Sequence, residues 1–298
     1  MDLNINSFTA IQGRENLRGR LIPGFIHNLY HFYESLKIYE DGVVDCWEAV
    51  NLDLFAKKLS SGWVTPKVPN GERLWFHHLG SWNVLDGVWT FDLQGFYDHI
   101  VHVIESMKFD NRSALPNNPE DRKDPAGYGD GFYGFLKLDT LHYTRTDISV
   151  FGDDHIELSN DETPRSITFE ELEEMTNAGM LVGQLPEKSR VQLYGLGEFT
   201  IGQCHGAVDI QSKVQETRDI IAKINGGPSS GQICRAAYET YLKQPTETNK
   251  TALKDAYENV PEHLRVYLLG DMDAKDWPIR MIIYGKDQIK NWSHYIAA

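Results

Sequence analysis

The sequence predicts an α+β fold: two related antiparallel sheet-plus-helix units followed by a mainly helical C-terminal part. The first observation behind this is an internal duplication. Residues 62–84 (GWVTPKVPNGERLWFHHLGSWNV) lie over residues 179–201 (GMLVGQLPEKSRVQLYGLGEFTI) at a constant offset of 117, without a gap. Five pairs are identical: Gly62/Gly179, Pro69/Pro186, Arg73/Arg190, Leu79/Leu196 and Gly80/Gly197. Val64/Leu181, Val68/Leu185, Leu74/Val191, Phe76/Leu193, Trp82/Phe199 and Val84/Ile201 keep their apolar character. The second observation is the pattern inside each copy, where short extended runs punctuated by glycine turns alternate with stretches of helical period. The third is a change after Pro228, beyond which the period is mostly helical and nothing matches the rest of the chain. These divide the sequence into a first copy (1–109), a linker (110–131), a second copy (132–227) and a C-terminal part (228–298).

In the first copy, extended segments near 21–30 and 36–48 precede a short helix near 51–60. Asn51 is its N-cap, Leu52, Phe55 and Leu59 form its apolar face, and Gly62 stops it. Extended segments follow near 63–68, 72–79 and 88–93, then a longer helix near 95–108 with Phe96, Ile100, Val103 and Met107 on one side. The second copy repeats this with Thr168 as cap, Phe169, Leu172 and Met175 on one face, and Gly179 as stop. Its longer helix uses Val214, Ile220, Ile221 and Ile224 and ends at Asn225-Gly226-Gly227-Pro228. Asn70-Gly71 signals a hairpin; Glu187-Lys188 in its place predicts a different turn. Upstream, residues 37–47 lie over 149–159 at an offset of 112, so the second copy gains five residues, most simply within NDETPRS (160–166). GFIH (24–27) faces GFLK (134–137).

The linker is dense in Pro, Asn, Asp and Gly, and its aromatic end at Tyr128, Phe132 and Tyr133 is expected to dock onto the second unit. In the C-terminal part, helices are expected at 229–243 (capped by Ser229 or Ser230), 249–258 and 261–269, the last opening with Pro261 and ending at Gly270. IRMIIY (279–284) reads as a strand, and the last dozen residues as a closing helical turn.

Composition narrows the function. With 298 residues, 41% hydrophobic and 24% charged, the chain is an ordinary globular protein. The start MDLNINSFTA lacks the pattern of a secretory signal, and no apolar run approaches the roughly 20 residues that span a bilayer. Cys46, Cys204 and Cys234 are widely spaced, which suits reduced thiols and a cytoplasmic location, with no membrane association. A net charge of −14 argues against direct contact with nucleic acid. Residues 153–174 alone hold nine carboxylates against one base, Arg165, a local charge of −8.

Chemistry-bearing motifs are scarce. His99 and His102 stand three apart beside Asp98, but their counterparts are Glu216 and Asp219; adjacent His77 and His78 point to opposite faces of a strand, and match Tyr194 and Gly195. No metal or cofactor is expected. DMDAKD (271–276) has Asp276 where a calcium loop needs glycine and Ile282 where it needs a bidentate carboxylate. There is no GxSxG, HExxH, Walker loop or dinucleotide-binding glycine motif, and nothing marks a catalytic residue. Trp63 and Trp82 match Met180 and Phe199, which favours burial; Trp75 matches Gln192 and falls on the opposite strand face, where an exposed tryptophan suits a partner contact.

The segment LKIYEDGVVDCWEAVNLDLFAKKLSSGWVTPKVPNGERLWFHHLG resembles small uncharacterised bacterial proteins that combine a YEDG turn, a tryptophan-containing strand, a short helix and a GWV strand. Such proteins are suspected of belonging to immunity or toxin-neutralising sets, so the resemblance implies an antagonist that binds another protein. The expectation is a non-catalytic protein-binding module whose acidic residues Asp153, Asp154, Glu157, Asp161 and Glu162, with Trp75, meet a basic partner. The alternatives are a hydrolase-type enzyme with a site between the two units, and a scaffold subunit.

Overall fold

The computed structural model of the chain describes residues 3–6, 17–77, 79–109, 128–152, 155–159, 164–270 and 275–285. The first copy contains β1 (Leu3–Asn6), β2 (Arg18–Asn28), β3 (Tyr30–Tyr39), β4 (Val43–Asp45), β5 (Ala49–Asn51), α1 (Leu52–Ser60), β6 (Val64–Thr65), β7 (Arg73–Phe76), β8 (Gly80–Trp89) and α2 (Leu93–Phe109). The second repeats the order from β2 onward as β9 (Tyr128–Lys137), β10 (His142–Phe151), β11 (Ile156–Ser159), β12 (Arg165–Ile167), α3 (Phe169–Asn177), β13 (Leu181–Val182), β14 (Arg190–Leu193), β15 (Gly197–Ala207) and α4 (Ile210–Ile224). Helices α5 (Ser230–Lys243), α6 (Glu247–Glu258), α7 (Glu262–Arg265) and α8 (Trp277–Tyr284) follow. The fold is α+β with two related units and a helical C-terminal part, as the sequence predicts.

The duplication extends to strand register. His31 on β3 lies beside Leu74 on the parallel strand β7, and Tyr143 on β10 lies beside Val191 on β14 in the same way. Arg73 to Phe76 pair with Asn83 to Gly80, as Arg190 to Leu193 pair with Thr200 to Gly197. Phe25 and Ile26 face Thr65 and Val64; Phe135 and Leu136 face Val182 and Leu181. Val44 opposes Val50, and Ile156 opposes Ile167, so the five extra residues fall in the β11–β12 hairpin, where NDETPRS lies. The two parallel pairs make the sheet mixed rather than purely antiparallel.

All described strands join one sheet, with the main path β1-β2-β3-β7-β8-β15-β14-β10-β11-β12. The copies meet at the antiparallel pair β8·β15, where Trp82 opposes Cys204, Val84 opposes Ile201 and Gly87 opposes Phe199. Positions 82, 84 and 87 are equivalent to 199, 201 and 204, so exchanging the copies maps these three pairs onto themselves, while bulges shift the ends by one residue, with Gly197 opposite Trp89 and Gly80 opposite Ala207. A local two-fold axis therefore passes through the Val84/Ile201 pair.

The sheet curls around an aromatic core. Five interstrand steps separate β3 from β10 along the path, about 24 Å on a flat sheet. Yet the Arg145 guanidinium on β10 lies 4.2 Å from the Tyr33 ring centre on β3 and 4.4 Å from that of Tyr133. Phe76, Trp82 and Phe135 pack edge to face in the same interior, with centroids 5.5 to 6.0 Å apart. Arg145 is buried and held by both oxygens of Asp147, at 3.2 and 2.6 Å. Its burial opposes the charge, but the Tyr33 hydroxyl and the Asp147 carboxylate outweigh that and raise its pKa further. Helix α2 buries Phe96, Ile100, Val103, Ile104 and Met107; Gly24 leaves room for the Phe96 ring beside Leu36.

Helix ends follow the sequence. The Asn51 side chain accepts from Leu54 N at 2.9 Å, and Thr168 and Glu171 form a capping box; Gly62 (φ 76°) and Gly179 (φ 66°) close α1 and α3 in the left-handed conformation. One expectation about turns is overturned. The Glu187-Lys188 turn has the shape of the Asn70-Gly71 turn: Lys188 N donates to Ile201 O at 2.9 Å as Gly71 N donates to Val84 O at 2.6 Å. Lys188 therefore takes a φ of 65°, where Gly71 has 88°. The surrounding ladder enforces the turn, and the lysine tolerates a backbone region that favours glycine.

Other differences are local. The segment read as 72–79 is β7 followed by a tight turn closed by Leu79 N donating to Phe76 O (3.1 Å); the strand expected at 88–93 instead runs earlier, as β8 over Gly80–Trp89, and Leu93 already opens α2. Of the expected linker, 110–127 lies outside the described residues, while Tyr128 to Gly131 already belong to β9. Phe132 is buried and Tyr133 half-buried.

The chain forms two compact units: residues 1–125, 132–149 and 156–210, and residues 126–131, 150–155 and 211–298. In the second, Cys234, Leu253, Tyr257, Val260, Leu268 and Ile279 form the core. IRMIIY is not a strand there but most of helix α8. Pro278 sits in its first turn, and Ile279, Ile282 and Ile283 face this core at helical spacing, so packing overrides the β-propensity of the isoleucines. Asp276 is buried and accepts from the Tyr257 hydroxyl at 2.5 Å, which makes it a packing residue. Helix α7 is a single turn behind Pro261, continued by turns to Gly270. Residues 286–298, the expected closing turn, lie outside the described residues.

Candidate functional site

Strand alternation puts Leu74 and Phe76 of β7 in the core and Arg73 and Trp75 on the opposite face. Phe32 pairs with Trp75 across the parallel β3·β7 ladder, so it shares that face, and Glu34 follows two residues on. Phe32 is the centre of a cluster. Its ring lies 5.3 Å from Trp47, 6.2 Å from Trp75 and 5.8 Å from His77. Trp47 continues edge-on to Trp63 at 6.1 Å. Glu34 Oε1 accepts from Trp47 Nε1 and faces His77 Nε2, both at 2.9 Å. The Lys58 ammonium stands 5.2 Å from the Trp63 ring centre, and the Arg73 guanidinium 4.9 Å from Tyr30 and 6.0 Å from Trp75.

Trp47 shows that the fold accommodates this face at a cost. It occupies the β4–β5 turn with a φ of 68°, and the residue is 47% exposed. A bulky residue in the left-handed region costs about 1 to 2 kcal/mol. Glycine would relieve that, yet the chain places an indole there.

The second copy provides the comparison. Phe32, Glu34, Trp47, Trp63, Trp75 and His77 correspond to Thr144, Thr146, Ser159, Met180, Gln192 and Tyr194. Thr146 Oγ1 donates to Ser159 O at 3.1 Å, where the first copy has the Glu34–Trp47 bond. The fold therefore does not need the aromatic cluster, since the second copy builds the same strands without it.

Among the sequence-predicted residues, the structure brings Trp75 into this cluster, half-buried rather than standing free because Phe32 and Arg73 flank it. Trp63, expected in the core, is half-buried at the cluster's edge, and its counterpart Met180 is exposed; Trp82 is fully buried. Glu157 is half-buried on β11, paired with Ser166. Asp153, Asp154, Asp161 and Glu162 lie outside the described residues, as does His78. Phe32, Glu34 and Trp47 were not singled out by the sequence; the contrast between copies at these positions is the signal that finds them.

Reactive chemistry is poorly served elsewhere. Burial pushes the Cys46 and Cys234 thiols up to about 11 and raises Cys204 as well, so all three are protonated at neutral pH. His142 has one ring nitrogen 2.7 Å from Glu198 Oε2 and the other 3.3 Å from Asp139 Oδ2, so both face carboxylates of the chain itself. Arg190 pairs with the same Glu198. His99 stacks on Phe91 at 5.0 Å. Among the described residues no group of three His, Cys, Asp or Glu is arranged to hold a metal, and no helix is long and apolar enough to cross a membrane. A cavity of about 660 Å³ in the second compact unit is lined by Lys223, Arg235 and the start of α5. That helix start is already closed by Asp219, which accepts from Ser230 N at 2.7 Å and Ser230 Oγ at 2.5 Å.

These features define a tandem α+β repeat protein with one decorated copy. The chain belongs to the family described as a domain of unknown function (DUF7638), which matches residues 8–110 and again 123–228. A second domain of unknown function (DUF7639) matches residues 229–296. No curated protein and no solved structure matches the chain.

Proposed function

We propose that this protein is a non-catalytic, cytoplasmic protein-binding module, immunity-like in its action, that holds a basic partner against the aromatic face of its first copy. The observation that carries the reading is the Trp47–Phe32–Trp75 cluster around Glu34, strained at Trp47 and absent from the second copy. Tryptophans at the centre of a half-exposed patch are the residues that contribute most at interfaces. The net charge of −14 supports steering of a basic protein, and the carboxylates of 153–174 add to it. The β8·β15 junction, which merges the copies into one sheet, would also suit a scaffold subunit.

Affinity purification from native cells separates these readings. The expected result is one stoichiometric protein of pI above about 9, released when salt rises from about 50 to about 500 mM. Recovery of the chain alone, or with a partner indifferent to salt, would overturn the electrostatic part of the proposal.

A further inference from the structure

The aromatic face of the first copy carries an unused carboxylate oxygen. Glu34 Oε1 takes both the Trp47 indole and the His77 imidazole, while Oε2 makes no hydrogen bond with the described residues. The side chain is only 22% exposed, and the two rings hold the carboxylate through Oε1 alone, on the face where Phe32 packs against Trp47. An oriented acceptor next to aromatic rings favours a cation. The face already shows this preference with the chain's own groups, since Lys58 lies over Trp63 and Arg73 over Tyr30 and Trp75. The acidic charge of the whole chain points the same way.

We infer that this face receives an arginine side chain of the partner, with its guanidinium stacked on Phe32 and Trp47 and donating to Glu34 Oε2. This rests on the reading of the first copy as the partner-binding face and specifies what it recognises. Arginine fits better than lysine because its planar group can lie on a ring and present an N–H edge to a carboxylate at once, whereas an ammonium is compact and strongly hydrated. Citrulline keeps the shape and loses the charge.

The test is a tryptophan-fluorescence titration of the full chain with acetyl-triarginine amide, its tri-citrulline analogue and its trilysine analogue. Saturable quenching is expected with arginine, at least about tenfold weaker binding with citrulline, and intermediate binding with lysine. Glu34→Gln and Trp75→Gln, the latter placing the second copy's residue in the first, should each weaken arginine binding by about tenfold or more, with cooperative unfolding retained. Arginine binding unchanged in Glu34→Gln, equal binding of citrulline, or no saturable binding would each overturn the inference. If the peptide fails while the native basic partner is still captured, the arginine assignment alone falls; if both fail, the reading of the face falls with it.

Discussion

Gly80→Ala and Gly197→Ala are each expected to destabilise the protein by about 3 kcal/mol or more. Both glycines have φ values alanine rarely adopts, 142° and 129°. A Cβ on Gly80 would run into the Gly206 carbonyl, and one on Gly197 into the Val88 carbonyl. Those carbonyls belong to β15 and β8, the strands that join the copies, so the obstacle is backbone inside a ladder and cannot move aside cheaply. Gly62→Ala and Gly179→Ala are the controls. They also have positive φ but meet open space, and should cost only about 1 kcal/mol each. Urea unfolding of the four variants measures this. Comparable large losses at 80 and 197 are expected from equivalent positions; a loss under about 1 kcal/mol at either would show that the junction is not built as described.

The second large effect is one of pH. His31 is buried, stacks on His27 with centroids 4.5 Å apart, and has no partner for Nδ1. Burial first, and the charge of His27 second, hold its pKa down at about 4, from 6.5 in an unfolded chain. Between those values the unfolded chain binds a proton that the folded one excludes. Stability is therefore full above pH 6.5, falls as the pH drops towards 4, and levels off below. The drop from 6.5 to about 4 amounts to about 3 kcal/mol. The second copy has Tyr143 at this position, also buried, so His31→Tyr should fold and lose this part of the acid dependence. Urea midpoints from pH 7.5 to pH 4 decide: the parent should fall about 3 kcal/mol further than His31→Tyr, and parallel curves would contradict the assignment.

Turn and cap residues made the duplication legible, because they impose backbone conformations that few residues accept. Gly62, Gly179, Asn51 and Thr168 all do in the structure what their positions suggest. Lys188 shows the limit. Its turn is set by the flanking ladder, not by its own preference, so the missing glycine misled. IRMIIY failed for a related reason: isoleucine prefers strands, but its neighbours here are helices α5 and α6 with a core to fill. The candidate site was only partly visible. Trp75 stood out because its face could be read from alternation. Trp47 lies in a turn, where alternation says nothing, and Phe32 and Glu34 precede the stretch in which the copies match at the 112 offset. They become a site only when the parallel β3·β7 pair sets Phe32 beside Trp75.

Trp47→Gly probes the binding face with the least disturbance to the fold. Glycine suits the φ of 68° and offsets the lost packing on Phe32 and Trp63, so stability should stay within about 1 kcal/mol of the parent. The decisive quantity is the dissociation constant of this variant, beside the parent, for the basic protein that co-purifies with the chain. A loss of about tenfold or more with the unfolding midpoint unchanged is the expected result. Equal affinity in the two proteins would mean that the strained indole serves no partner, and the first copy would lose its claim to be the recognition face.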